Sequence, residues 1–303
     1  MGAAVITEYK SAFDGRNINF GRMLRSEWLK LWTLRSTWWV SAMTIALMAG
    51  LSLLFALVMD IVFADIRGVG GGGNAFASAN IAVLIVVLGF QMARITVAVF
   101  GVLAISNEYS SGMIRATLAA TPRRLRTLWA KLIVVTVTTV LISVLGLALA
   151  WLVTLPVLNS NDMAVDFSNP THIRAIVGVI LYLVAIAWIS LGTGALLRHT
   201  AGGISTIMGV LLVAPAILGI IVITAPTVEW VATIYRFLPS EAGEQVVMGG
   251  LMDGLLTGEG SGGMGMGTAM TDMLAPWTGF GVLMIYAVVM LVAGAIKIKR
   301  SDA

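Results

Sequence analysis

Residues 175–197 read AIVGVILYLVAIAWISLGTGALL, a stretch without a single charged side chain. An α-helix rises 1.5 Å per residue, so about 20 apolar residues cross the ~30 Å hydrocarbon core of a bilayer. Three residues further on, after Arg198, His199 and Thr200, a second such run occupies 201–226. Working outward, four more runs reach the same length: 38–59, 80–105, 132–158 and 275–296. Only the run at 80–105 holds a charge, Arg94. The run at 38–59 follows a mostly polar arm and no small-x-small site closes it, so it is expected to persist rather than be cleaved as a signal peptide. The expected fold is an all-α polytopic membrane protein with six transmembrane helices.

Composition agrees. Of 303 residues, 58% are apolar and 11% charged, and the mean hydropathy is +0.95. A soluble domain carries roughly a quarter charged residues, so that class is excluded. Cys is absent and only two His occur, which removes disulfides, thiolate chemistry and a His-built zinc site.

Lys and Arg set orientation across a membrane. Alternating the six runs places fifteen of the nineteen Lys and Arg on one side and three on the other, with Arg94 inside a span. The acidic residues run the other way, five against ten. Both termini are therefore expected in the cytoplasm of a bacterial cell, with the protein in its plasma membrane. The chain divides into a disordered arm (1–17), a cytoplasmic interfacial helix (18–37) and one six-span domain (38–303). The Gly-rich stretch 68–74 reads as a flexible linker. The outer loop 227–274 begins with short interfacial helices over 229–252 and continues into a mobile Gly-rich part, 258–267.

In the arm, Phe20, Met23, Leu24, Trp28, Leu31 and Trp32 recur at helical spacing, with Arg22, Arg25, Ser26, Glu27 and Lys30 opposite. This is a basic amphipathic helix with aromatic residues. It either anchors the chain at the membrane surface or helps to hold a partner, and Trp28, Lys30 and Trp32 are its candidate residues. Between spans 2 and 3 the chain reads NEYSSGMIRATLAATPRRLRTLWAK over 107–131. Residues 110–120 suit a helix, and Pro122 disfavours helix at the residue before it.

The arm (SEWLKLWTLRSTWW, 26–39), this segment and FLPSEAG (237–243) resemble bacterial permeases of the ABC-2 transporter type, especially the six-span kind of actinobacteria. The matching pattern is Glu108, Gly112, the apolar stretch 114–118, Pro122 with Arg123, and Lys131. The resemblance implies that the segment 107–127 is a coupling helix resting in a cleft of a separate ATPase. Glu108, Tyr109, Gly112, Ile114, Leu118, Pro122, Arg123 and Arg124 are its candidate residues. It also implies a second permease copy or paralogue, since six spans make half a transporter. The plainer reading of the basic residues is that they fix topology.

Arg94 costs about 2.5–3.5 kcal/mol at a helix centre on insertion scales. Gln91 lies one turn before it, and Ala98 and Gly101 continue that face. The stripe either lines a transport path or a subunit seam, or Arg94 is paired by groups of span 3 such as Thr136 or Thr139. Gly192, Gly194, Gly202, Gly203, Gly209 and Gly219 mark close helix contacts, and Pro215 is expected to kink span 5.

No P-loop, His-Glu-x-x-His or Gly-x-Ser-x-Gly motif occurs. The chain is therefore not expected to be an enzyme or to bind a cofactor, with ATP and Mg held by the partner. His172 and His199 fall at opposite membrane faces and cannot share a metal. The basic face is accounted for by topology, so no nucleic-acid partner is expected. The expected function is the membrane subunit of an ATP-driven exporter of a lipophilic small molecule or peptide. The alternative is an ATPase-independent carrier or scaffold; the lack of Asp or Glu in all six runs speaks against ion coupling.

Single Cys can be placed without background in this chain. Ser111→Cys and Ser301→Cys should react with impermeant maleimide only after the cytoplasmic face is opened. Ser160→Cys and Ser261→Cys should react in intact cells. Labelling of Ser111→Cys in intact cells would overturn the orientation.

Overall fold

A computed structural model describes residues 20–68, 79–110, 112, 124–225, 228–251 and 273–300. Every regular element among them is a helix. In chain order they are α1 (Phe20–Thr33), α2 (Arg35–Gly68), α3 (Ala79–Val87), α4 (Phe90–Ser110), α5 (Arg124–Ser160) and α6 (Pro170–Leu197). There follow α7 (Thr200–Met208), a π-helical turn (Gly209–Val213), α8 (Ala214–Thr224), α9 (Glu229–Phe237), α10 (Pro239–Met248) and α11 (Pro276–Arg300). Six stretches are long and apolar enough to cross a membrane: Arg35–Val62, Asn80–Ser110, Leu125–Ser160, Pro170–Leu197, Thr200–Thr224 and Pro276–Arg300. They coincide with the six apolar runs but extend past most of them, because helical hydrogen bonding continues beyond the last apolar side chain.

α6 is the axis of the bundle. It packs on α4, α5, α10 and α11, and its inward residues Val179, Tyr182, Leu183 and Ile186 are fully buried. α4 and α6 meet closely at Gly101, where an added Cβ would lie 2.7 Å from the Ala187 carbonyl oxygen. Without a hydrophobic drive between helices in lipid, such close approach supplies the dispersion contacts that hold them together. Gly192, Gly194 and Gly203 are equally tight, as the small-residue pattern predicts. Gly209 is not, with nothing within 4 Å of where its Cβ would be, and Gly202 meets only the capping His199 at 3.8 Å.

Two of the six spans are interrupted. The second breaks at Leu88 and Gly89, between α3 and α4. There Ser52 of α2 donates to the Val86 carbonyl (2.9 Å) and accepts from the Gly89 amide (3.2 Å). The backbone groups freed by the break are thus satisfied inside the protein, as lipid contact requires. The fifth span departs from the regular α-helical ladder just before Pro215, in a π turn. Proline clashes with the carbonyl four residues back, so the ladder widens and the Ala214 amide reaches back to Gly209.

The elements define two ends. At one lie α1, the start of α5, the end of α4, the α6–α7 turn and the end of α11; Arg198 there donates to the Lys297 carbonyl (3.1 Å). This is the basic end. At the opposite end Asn161 donates to Asp60 (2.7 Å), and buried His172 bridges the Asp166 carbonyl (2.9 Å) and Asn80 (3.0 Å). His199 caps α7 at the basic end. The two histidines are separated as expected.

Gly101→Ala should cost about 1–3 kcal/mol by overpacking. Gly50→Ala, on α2 with open space around it, should be neutral or slightly stabilising. Thermal unfolding of the two variants in detergent checks the difference.

Candidate functional site

Two buried polar constellations stand out, one at each level of the bundle. The first begins with α1. Its buried stripe is Met23, Glu27 and Leu31, spaced i, i+4, i+8. This corrects the sequence reading, which put Glu27 with the solvated face. The carboxylate is 2% exposed because a partner waits beneath it. Lys131 of α5 donates to Glu27 Oε2 (2.7 Å) and to Glu108 Oε1 of α4 (3.0 Å). Lys30 donates to Glu27 Oε1 (2.6 Å) and Glu108 Oε1 (3.3 Å). Two acids and two bases thus join α1, α4 and α5 in a closed ring. Burial opposes the Glu27 charge, yet Lys131 and Lys30 together hold its carboxyl below the ordinary value. Burial likewise opposes the Lys30 charge, and Glu27 and Glu108 hold its ammonium above the ordinary value.

Neighbouring aromatics stiffen the arm. Trp28 and Trp32 lie 5.5 Å apart, Trp38 meets Trp32 edge-on at 4.8 Å, and Trp38 Nε1 donates to the Trp32 carbonyl (3.0 Å). Tyr109, next to Glu108, lies under the Arg198 guanidinium at 5.4 Å. Arg198 itself ends α6 in the left-handed conformation (φ 56°). The α6–α7 turn is therefore tied to the end of α4 as well. Gly112 is exposed with φ +70°, which a side chain would resist. Arg124 opens α5. Ile114, Leu118, Pro122 and Arg123 lie outside the described residues, as do the arm 1–17 and the Gly-rich stretch 258–267.

The second constellation surrounds Arg94. Neither Thr136 nor Thr139 pairs with it; the Thr136 hydroxyl accepts instead from Trp188 Nε1 (2.8 Å). The partner is Glu244 of α10, whose Oε2 lies 3.3 Å from Arg94 Nη1. Gln91 donates to the other oxygen of that carboxylate. Ala98 and Gly101, expected to continue a stripe with Arg94, are buried, and Gly101 packs on α6 within this chain.

Glu244 reaches Arg94 because α10 enters the bundle, whereas α9 packs on α8 and leaves Trp230, Ile234 and Phe237 exposed. α10 wedges between α6 and α11. A Cβ on Gly178 of α6 would stand 2.8 Å from the Val246 carbonyl, and one on Gly243 would stand 3.0 Å from the Tyr182 ring. Tyr182 in turn packs edge-on against Phe90 at 5.4 Å. Gly178, Gly243 and Gly279 of α11, where an added Cβ would run into the Ala242 carbonyl, let the short helix approach, and the carboxylate is thereby brought to about the middle of α6. The absence of acidic residues from the apolar runs was thus no guide to the interior, since this carboxylate arrives from a loop.

Among the described residues no group of His, Asp and Glu could hold a metal ion. No known protein-family model matches the sequence, and no curated protein is significantly similar to it.

The ring at the basic end makes a thermodynamic prediction. Lys131→Met leaves Glu27 and Glu108 buried with half their cationic partners, and should cost about 3–5 kcal/mol. Adding Glu27→Gln removes one of the stranded charges and keeps the Lys30–Glu108 pair, so the double variant should be more stable than Lys131→Met alone. Urea unfolding in detergent measures both, and a strictly additive double variant would contradict the ring.

Proposed function

We propose that this chain is the membrane-spanning subunit of an ATP-driven exporter, working with a separate ATPase and with a second permease copy or paralogue. The cargo is a lipophilic small molecule or peptide, and the membrane is the bacterial plasma membrane with the basic end in the cytoplasm. The resemblance to ABC-2 permeases motivates the reading. The observation that carries it is the charged ring at the basic end. Glu108 near the end of α4 and Lys131 in the second turn of α5 flank the connection between these helices and are joined by an ion pair. Force applied to that connection would reach spans 2 and 3 and the arm α1 together, because Glu27 and Lys30 share the same ring. A subunit that receives energy by contact needs such a rigid root, since a loose loop would absorb the displacement.

A second reading gains support from Glu244. An intramembrane carboxylate beside an arginine is a recurrent element of ion-coupled carriers. In that reading α10 moves as the pair opens, and no ATPase is involved.

Co-purification and export decide between them. Ile114→Asp should weaken capture of the partner ATPase, and Glu108→Lys should abolish export, with both variants inserted at normal levels. Export should stop when the ATPase carries a disabled P-loop and persist in the presence of a protonophore. The opposite pattern would establish the carrier reading.

A further inference from the structure

Between α1, the start of α2 and the end of α4 lies a crevice of about 360 Å³. Its lining changes character along its depth. The floor is Val40, Phe100, Leu103 and Ala104. Toward the basic end the lining is Ser36, Asn107 and Ser110 with buried Thr37 and the apolar Leu31 and Leu34, and Lys30, Lys131 and Glu108 form one wall. Phe100 and Asn107 are seven residues apart on one helix, about 10 Å at 1.5 Å per residue. The polar layer on each side of a bilayer's hydrocarbon core is roughly 5–8 Å thick. A crevice that passes from apolar to polar over this distance, at the end of a spanning helix, has the polarity profile of the boundary between acyl chains and head groups.

Charge narrows the occupant. The ring of four charges is neutral as a whole, but Glu27 does not line the crevice. Glu27 nevertheless pairs with both ammonium groups from behind, so what the wall offers a ligand is the third N–H of Lys30, left over from its bonds to Glu27 and Glu108. Lys131 is held in place with 5% of its side chain exposed, whereas Lys30 keeps 32% and can turn a donor toward the mouth. Ser36 and Thr37 add hydroxyl groups there. On the outside, Trp38 and Trp39 are exposed at 56% and 77%, in the position where amphipathic rings sit among head groups.

We propose that this crevice binds one anionic glycerophospholipid, its phosphodiester at Lys30, Ser36 and Thr37 and the first methylenes of one chain on Val40, Phe100 and Leu103. At ~30 Å³ per water-sized group, the volume accepts about a dozen such groups, a head group and the start of a chain rather than a whole lipid. The rest of the lipid lies along the exposed face of α2. The bound lipid would brace the junction of α1 and α2 beside the charged ring. The site needs only a membrane-spanning protein, so it stands whether or not the chain is an exporter subunit.

The test uses the full-length protein, stripped of lipid in graded detergent and titrated by native mass spectrometry. Phosphatidylglycerol, phosphatidylcholine and inorganic phosphate are the three probes. Phosphatidylglycerol should bind at one high-affinity site and phosphatidylcholine more weakly. Ser36→Glu places a carboxylate at the mouth, on an exposed residue in the first turn of α2 where acidic side chains are tolerated. Val40→Trp fills the floor. Each should weaken phosphatidylglycerol binding roughly tenfold, the loss expected for one charge-assisted contact or for steric exclusion. Unchanged melting temperatures would show that both variants fold; should Val40→Trp fail to fold, Ser36→Glu alone carries the test. Equal binding of the two lipids, or undiminished binding by a folded variant, would overturn the proposal. Displacement of phosphatidylglycerol by equimolar inorganic phosphate would do the same, by assigning the site to a free anion.

Discussion

Hydrocarbon offers no hydrogen bonds, so any charge carried into this bundle must meet its partner inside the protein. That constraint explains the two least regular features of the fold. α1 is short and amphipathic and would lie loosely on a membrane surface by itself. It is fastened because buried Glu27 requires Lys131 of α5 and Lys30 reaches Glu108 of α4. α10 is only ten residues long, lies outside the six spans and has no apolar run to hold it in lipid. It is drawn between α6 and α11 in company with the Arg94–Glu244 pair. In each case a polar contact places an element that hydrophobicity alone would leave at the surface. Such a buried pair is not a large net source of stability, because desolvation offsets most of the attraction. What it provides is a unique arrangement, since either partner without the other is strongly unfavourable.

The six spans were legible from residue order because length and apolarity are local properties. Runs such as 175–197 contain all the information that the criterion needs. Pro215 marked the irregular stretch of span 5, now seen as a π turn, for the same reason: the missing amide and the ring clash are properties of one residue. Gly89 did not announce the break in span 2. The break depends on Ser52, in a different helix, supplying the hydrogen bonds that the ladder loses there. Glu27 was misplaced because helical periodicity sorts side chains by polarity, and a buried acid with a buried base beneath it violates that sorting. The pairing spans 104 residues of chain. Arg94 was recognisable as a costly charge, but its partner was sought in the wrong helix. Glu244 lies in a loop whose polar sequence gives no sign that it enters the bundle.

Rigid and deformable regions separate along the same lines. α4 and α6 are joined through small residues at Gly101 and Gly194 and bury most of their inward surface. The α7–α8 segment is different. Much of it faces outward, with Val213, Ile217, Ile220 and Ile223 exposed, and its helical ladder already deviates at the π turn. A widened turn with few neighbours is where a spanning helix bends at least cost. Yet α7 is attached at its start through Thr200 to Ser106 (3.1 Å) and through the Arg198 contact with Tyr109. The end of α4 thus touches the charged ring on one side and the base of the deformable helix on the other. Displacement of α4 would be felt in both.

Charges in this chain therefore do two separable jobs. Glu27, Lys30, Glu108 and Lys131 cancel one another, as do Arg94 and Glu244, so neither constellation contributes net charge to either end. The asymmetry that orients the chain in a membrane comes from the remaining basic residues, including Arg22, Arg25, Arg35 and Arg126, all of them exposed, together with Lys297, Lys299 and Arg300 at the end of α11. Exposed cations can be counted for topology because each keeps its charge toward the head-group region. Buried ones cannot, because their neutralising partners travel with them. Counting every Lys and Arg alike points the same way here because leaving out Lys30 and Lys131 still sets thirteen basic residues against three.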